Sequence, residues 1–429
     1  MKKVLASLVS ILMIISMLAG CSAGSSSGNG SGQEDGITLT LLHRWPNEPF
    51  KGYFDAAIEE FKKENPEVNF NVISVLNEDY KQKINVQLSS DTPPDIFFTW
   101  AGEYGDKFIR DGKALDITKY MQEDGEWKET IIPSALKPFT SEEKIYGVPV
   151  LMDVRMMAYN KDIFKELNLT PPKTWDEFIK VLKVIKKTET TPLGLGNKAP
   201  WNGGLYVTSL NQRMVAPEVL AADNNRATGE FTDPGYVEAL KILQELVPYM
   251  NEDPNALSRE EERSLFVNGQ IAIMPLHTIE FPYVKDAPFE WGTFNFPTIE
   301  DGKGKEAVVT GAPEGFMVSS ETKHPEMAAK FLKFLTSKEM AEKWVETTDV
   351  ISTTKGAVNE NNSSPIMLDV TKEVEESDEM VIWLDTALEG KVFQPYLSGI
   401  QELLNEEKTP KEVMKEVQSA AKEVREAAK

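Results

Sequence analysis

The sequence predicts an α/β protein built as two lobes, and two observations carry this. The chain has 429 residues, more than a single hydrophobic core serves well, so two domains or two halves of a split domain are expected. From residue 37 onward, apolar runs of strand length alternate with stretches of helical period, the pattern of a parallel sheet covered by helices.

The N-terminus carries a separate signal. Lys2 and Lys3 precede an apolar run, Val4 to Leu18, broken only by serines and short for a membrane span. It closes on Leu18-Ala19-Gly20-Cys21, which resembles a bacterial lipobox. The resemblance implies a lipoprotein signal peptide over 1–20 and a lipid, palmitate included, on Cys21. Residues 21–36 are mostly Ser and Gly and read as a flexible tether. Gly24-Ser25-Ser26-Ser27-Gly28 matches the G-x-S-x-G nucleophile motif, but it lies in this tether without the strand and helix the motif needs.

The elements then follow in order. Ile37 to Leu42 predicts a buried strand. Phe54, Ile58 and Phe61 fall at helical spacing within Tyr53 to Lys63, and Asn65-Pro66 ends that helix. Val68, Phe70 and Val72 alternate as a second strand. Glu78 to Leu88 predicts a helix, Pro93-Pro94 a break, and Asp95 to Trp100 a third strand. In such a sheet, ligands sit beyond the carboxyl ends of the strands, so the loops His43 to Phe50 and Trp100 to Tyr104 matter most. Further on, Trp175 to Lys187 predicts an amphipathic helix capped by Thr174. Val237 to Val247, Glu326 to Leu335, Lys338 to Val345 and Lys408 onward read as helices. Gln270 to Met274 reads as a strand. Val308-Val309 and Phe316 to Ser319 read as two strands around the segment Gly311 to Gly315.

Composition excludes several functions. The net charge of -22 repels nucleic acid, and no basic patch with interleaved aromatics occurs. Cys21 is the only cysteine, so no intramolecular disulfide forms. Three histidines, no zinc spacing, no phosphate loop and no dinucleotide fingerprint leave no metal or cofactor to expect.

Five segments in fixed order carry a family resemblance: Phe54 to Phe61 with Asn65-Pro66; Pro94 to Trp100; Tyr146 to Pro149 leading through Ala158 to Phe164 and Pro172 to Phe178; Asn268 to Met274; and Ala329 to Ser337 with Trp344. Together they resemble the extracellular sugar-binding proteins of ABC importers, the group of maltose- and multiple-sugar-binding proteins. The resemblance implies a two-lobed periplasmic-binding-protein-like fold (type II) with a hinged cleft. It places lobe one at 37–150 plus 304–348 and lobe two at 151–300 plus 352–429. Crossings would fall near Pro149 to Asp153, Phe296 to Thr298 and Val350 to Thr354. It also implies a lipid-anchored monomer outside the cell membrane, with a carbohydrate ligand, the permease subunits as partners, and no enzymatic activity.

A sugar offers apolar C–H faces to aromatic rings and a rim of hydroxyls to carboxylates and amides. The first strand-end loop supplies Trp45, Asn47 and Glu48; the third supplies Trp100 and Glu103. Asp153 lies in an apolar crossing, where a charge needs a task or a partner; Arg155 is the partner in the structural alternative. Trp201 and Asn202 sit in a stretch without helical pattern, rich in Gly and Pro. His277 follows a strand, and Glu314 interrupts a segment that is glycine-rich in the resembled family. Trp383 and Asp385 complete the candidates. Two alternatives stay open. A glycoside hydrolase would need a pair of carboxylates at fixed separation. A receptor for an anionic solute would draw on Arg44, Arg155 and Arg213, but the candidate loops hold more carboxylates and aromatics, so a neutral carbohydrate is preferred.

Overall fold

Leu39, Leu41 and Leu42 of the first apolar run are fully buried, and the run forms β1 (Ile37–His43). The computed structural model describes residues 36–123, 126–305, 308–377 and 379–429. The expected signal peptide, Cys21 and all of the tether but Gly36 lie outside the described residues. After β1, helix α1 (Phe50–Glu64) buries Phe50, Tyr53, Phe54, Ala57, Ile58 and Phe61 along one face. It ends where the Asn65 backbone and side-chain amides both donate to the Phe61 carbonyl. Strand β2 (Val68–Ser74), helix α2 (Asn77–Gln87), strand β3 (Ile96–Trp100) and helix α3 (Glu103–Arg110) follow. β1 pairs in parallel with both β2 and β3, as strand–helix–strand spacing requires.

The sheet then becomes mixed. β4 (Gly147–Asn160) is a single strand of 14 residues, buried throughout except at Tyr159. β5 (Thr191–Leu193), β6 (Ile271–His277), β7 (Trp291–Phe294), β8 (Val308–Val318) and β9 (Glu379–Val381) complete it. The order is β2-β1-β3-β8-β4-β6-β5, with β9 beside β8 and β7 beside β4. β8 lies antiparallel to β3 on one flank and to β4 on the other.

The outer layers divide the molecule into lobes. α1 and α3 cover the β1–β3 end, together with α8 (Pro325–Leu335) and α9 (Lys338–Thr348). At the other end a second apolar cluster gathers residues of α4 (Trp175–Ile185), α5 (Trp201–Met214), α6 (Gly235–Leu246), α11 (Gly390–Leu404) and α12 (Pro410–Ala427). Between α6 and α11 the chain also forms α7 (Arg259–Val267) and the short α10 (Leu384–Ala387). Thr174 caps α4 in a reciprocal box with Glu177, as its sequence position predicts.

Three stretches link the clusters. β4 is one. Residues 350–354 are another: Ser352 bridges Leu151, Thr353 Oγ1 donates to the Pro149 carbonyl, and Met152 N donates to the Ile351 carbonyl. The third is β8, not the segment Phe296 to Thr298. Phe296 is buried in the second cluster, Arg213 donates to the Phe296 and Pro297 carbonyls, and Thr298 pairs with Thr174. The expected break at Gly311 to Gly315 is also absent. β8 runs on through it with one irregularity between Glu314 and Gly315. Glycine is needed here because β4 passes so close. A Cβ on Gly311 would lie 2.6 Å from the Asp153 carbonyl oxygen, and one on Gly315 would lie 2.1 Å from that of Val148.

Candidate ligand-binding site

Where the two lobes face each other, the middle of β4, the end of β6 and the middle of β8 bring polar side chains together. Asp153 of β4 is 2% exposed. Its Oδ2 lies 2.8 Å from Nδ1 of His277, and its Oδ1 accepts from Thr278 Oγ1 and the Ile279 backbone. Nε2 of His277 is buried and meets no hydrogen-bond partner among the described residues. The imidazole sits 4.7 Å from the Trp383 ring and 6.4 Å from the Trp201 ring. Glu314 of β8 accepts from Arg44 Nη2 at 2.6 Å. Burial lifts the Glu314 carboxyl to about 7; Arg44 opposes the rise and Asp153 adds to it.

Cations and rings line the lobe-one side. The Arg44 guanidinium lies 5.1 Å from the Trp45 ring and 5.4 Å from the Trp100 ring. Lys81 of α2 sits 5.0 Å from Trp100 and pairs across the cleft with Asp385 of α10. Also from α2, Glu78 accepts from Trp201 Nε1 at 2.9 Å. These two contacts tie α2 of lobe one to α5 and α10 of lobe two, so the lobes are drawn together.

The structure therefore unites Asp153, His277, Glu314, Trp201 and Trp383, with Trp100 at their margin. It sets other candidates apart. Trp45 is a core ring: it stacks on Phe50 and Phe54 and meets Phe98 and Trp344 edge-on. α1 begins five residues later and folds its aromatic face onto that ring. Asn47 and Glu48 are exposed, and Glu48 accepts from the Gly52 backbone in the first turn of α1. Glu103 is held bidentate by Arg110 two turns along α3. Asn202 is in a helix rather than a loop. Its amide donates to the Gly196 carbonyl and to Glu262, bracing the chain before α5. Asp385 stays at the lobe interface, but its carboxylate is taken up by Lys81 across the cleft. Arg155 is not among the partners of Asp153; His277, Thr278 and Ile279 hold the carboxylate instead.

Several functional positions escaped sequence reasoning. Lys81 and Glu78 fall in a helix of ordinary surface composition. Arg259, Glu262 and Arg263 lie in a charged stretch and are not among the sequence candidates, yet Arg259 is buried between Glu262 and Glu280. Arg263 adds a second bond to Glu280, and the two arginines hold the Glu280 carboxyl well below the usual carboxylate range despite its burial. Arg155 had a visible signal, since it is the one cation in the 14-residue apolar strand β4.

Two lobes on a shared sheet, linked by three strands or extended segments and facing each other through rings and carboxylates, define a hinged receptor for a small solute. Residues 47–342 match the family described as bacterial extracellular solute-binding protein, and the chain belongs to it. It is 28% identical over 376 residues to the multiple sugar-binding protein of Streptococcus mutans, covering 82% of this chain and 83% of that one. It is 26% identical over 323 residues to an uncharacterised ABC transporter extracellular-binding protein of Pyrococcus horikoshii, covering 70% and 69%. Among solved structures, one concerned with xylan utilization by Caldanaerobius polysaccharolyticus superposes with a TM-score of 0.83 at 26% identity, over 89% of this chain and 99% of that one. A chitin oligosaccharide binding protein superposes with a TM-score of 0.84 at 24% identity, over 91% and 100%, which shows the shared fold. Among the described residues, no helix is long and apolar enough to cross a membrane, and no cluster of His, Cys, Asp and Glu is placed to hold a metal ion.

Proposed function

We propose that this protein captures a carbohydrate, an oligosaccharide, between its lobes and presents it to the membrane subunits of an ABC importer. The observation that carries the reading is the Asp153–His277 pair set against the Trp201 and Trp383 rings at the lobe interface. Indole faces suit the C–H faces of a pyranose, and a carboxylate held by an imidazole suits its hydroxyls. The sugar-binding relatives support the same ligand class. Closure excludes water and strengthens each hydrogen bond to the bound sugar. Glu314 belongs to the same wall, and Trp100 joins it when Arg44 and Lys81 move aside.

The lobe-one part of the chain is about 37–150 plus the segment from mid-β8 to about 348; lobe two is the remainder up to the C-terminus. Lipidation at Cys21 would hold the protein at the outer face of the cell membrane, with the Ser/Gly tether giving the lobes freedom to reach the permease. The protein acts as a monomer and releases its sugar unchanged.

The test is a thermal-shift and calorimetric screen of the purified chain against oligosaccharides of differing length and linkage, with product analysis after incubation. A ligand selectively stabilises the folded state, by about 3 kcal/mol at a hundredfold excess over Kd. Stabilisation by at least one oligosaccharide, with the sugar recovered intact, is expected. Absence of binding across the panel, or cleavage of the sugar, would remove the reading.

A further inference from the structure

Arg155, Arg213 and Arg259 are buried arginines with different surroundings. Arg259 holds the carboxylates of Glu262 and Glu280. Arg213 gives its nitrogens to the Phe296 and Pro297 carbonyls and to Gln212. Arg155 differs. Its Nε, Nη1 and Nη2 are all buried, and none meets an acceptor among the described residues. Its guanidinium packs 4.7 Å from the ring of Tyr206. A buried guanidinium with no hydrogen-bond acceptor is costly, and its planar fork matches a two-oxygen anion.

Its position ties it to the cleft. Arg155 lies two residues from Asp153 on the same face of β4. It is opposite His277 of β6 and Thr310 of β8 in register. Tyr206 beneath it belongs to α5, whose first residue, Trp201, faces His277. Three further buried atoms of this region lack hydrogen-bond partners among the described residues: His277 Nε2, Asn202 Oδ1 and Glu262 Oε1. Asn202 and Glu262 are bonded to each other, and Asn202 precedes Tyr206 by one helical turn. Among the described residues, Glu262 acts on Arg155 through its charge without a hydrogen bond, and the other neighbouring carboxylates are engaged elsewhere. Asp153 is held by His277, Thr278 and Ile279, Glu314 by Arg44, and Glu280 by Arg259 and Arg263.

We propose that Arg155 receives an anionic substituent of the ligand, a carboxylate or a phosphate, so that the lobe-two wall selects acidic sugars over neutral ones. Hydroxyls beside the anion would donate to Asn202 Oδ1 and Glu262 Oε1. The proposal rests on the carbohydrate reading above and names the ligand class for the same site.

Calorimetry on the full chain tests it with matched pairs: a uronic-acid-containing oligosaccharide against its carboxyl-reduced form, and a sugar phosphate against its dephosphorylated form. At least one acidic member should bind about tenfold or more tightly than its neutral partner. The pair that shows the gap identifies the anion. Arg155→Met should abolish the gap and change neutral binding by less than about threefold. Equal binding within both wild-type pairs overturns the proposal, as does a gap that survives Arg155→Met. Should that variant fail to fold, Arg155→Lys decides: it keeps the charge but loses the planar fork and should narrow the gap, and a gap unchanged in it overturns the proposal. Neutral sugars binding with no acidic preference removes only the role of Arg155. Failure of every sugar, acidic or neutral, removes the carbohydrate reading itself.

Discussion

Replacing Glu314 by glutamine should tilt the pH dependence of folding stability between about pH 5 and 8. The Glu314 carboxyl is 1% exposed and lifted from its ordinary 4.5 to about 7, chiefly by burial. The native state thus keeps a proton that the unfolded chain releases. Stability from this group is greatest below 4.5 and falls as pH rises through the interval to about 7. At about 1.4 kcal/mol per pH unit, that interval amounts to about 3 kcal/mol. His43 works in the opposite sense. Burial pulls it from 6.5 to about 4, so its contribution is present above 6.5 and is lost as pH falls toward 4. A bare wild-type curve therefore mixes two slopes. The difference between wild type and Glu314→Gln cancels the His43 slope and isolates Glu314. Loss of the Arg44 counter-ion offsets the variant without adding a slope in this range. Urea denaturation followed by tryptophan fluorescence at several pH values gives the difference directly. The variant should gain about 3 kcal/mol on wild type between about pH 5 and 8. Parallel curves would refute the placement of a buried, proton-retaining carboxyl at the lobe interface.

Other perturbations separate binding from folding. Trp383→Ala removes a ring 4.7 Å from His277 and should cost about 1–3 kcal/mol of sugar affinity by calorimetry. Asp385→Asn breaks the partly exposed bridge to Lys81; it should favour opening by about 0.5–1 kcal/mol, seen as a larger radius of gyration and a weaker apparent Kd. Arg259→Ala leaves Glu262 without its buried counter-ion and Glu280 with Arg263 alone, and should destabilise the fold by about 3–5 kcal/mol in denaturant titration. Trp45→Ala should cost a similar 3–5 kcal/mol of stability by opening the lobe-one core, with little effect on Kd measured on the folded fraction.

The parts of the fold that were legible in sequence are those fixed by local pattern. The alternation through β1, α1, β2, α2 and β3 and the Thr174 cap depend on period and on single residues. Long-range geometry was not legible. Nothing local says that β8 continues through Pro313 and Glu314, because its continuity is set by how closely β4 lies beside it. Gly and Pro before Trp201 read as loop, while α5 is defined by packing of its buried face against α11. Within the site, Asp153 stood out because a lone carboxylate in an apolar strand demands a partner, but His277, 124 residues away, is a partner only the fold supplies. Trp45 misled because a strand-end tryptophan looks the same whether its ring turns to the cleft or onto the following helix.

Hydrogen exchange with and without a saturating oligosaccharide tests most directly whether the guest is held between the lobes. Protection should concentrate on the amides around Asp153, His277 to Ile279 and Trp383 to Thr386, with α2 joining as the lobes tighten. Protection confined to the outer helices, or none at these four places despite measured binding, would contradict the account.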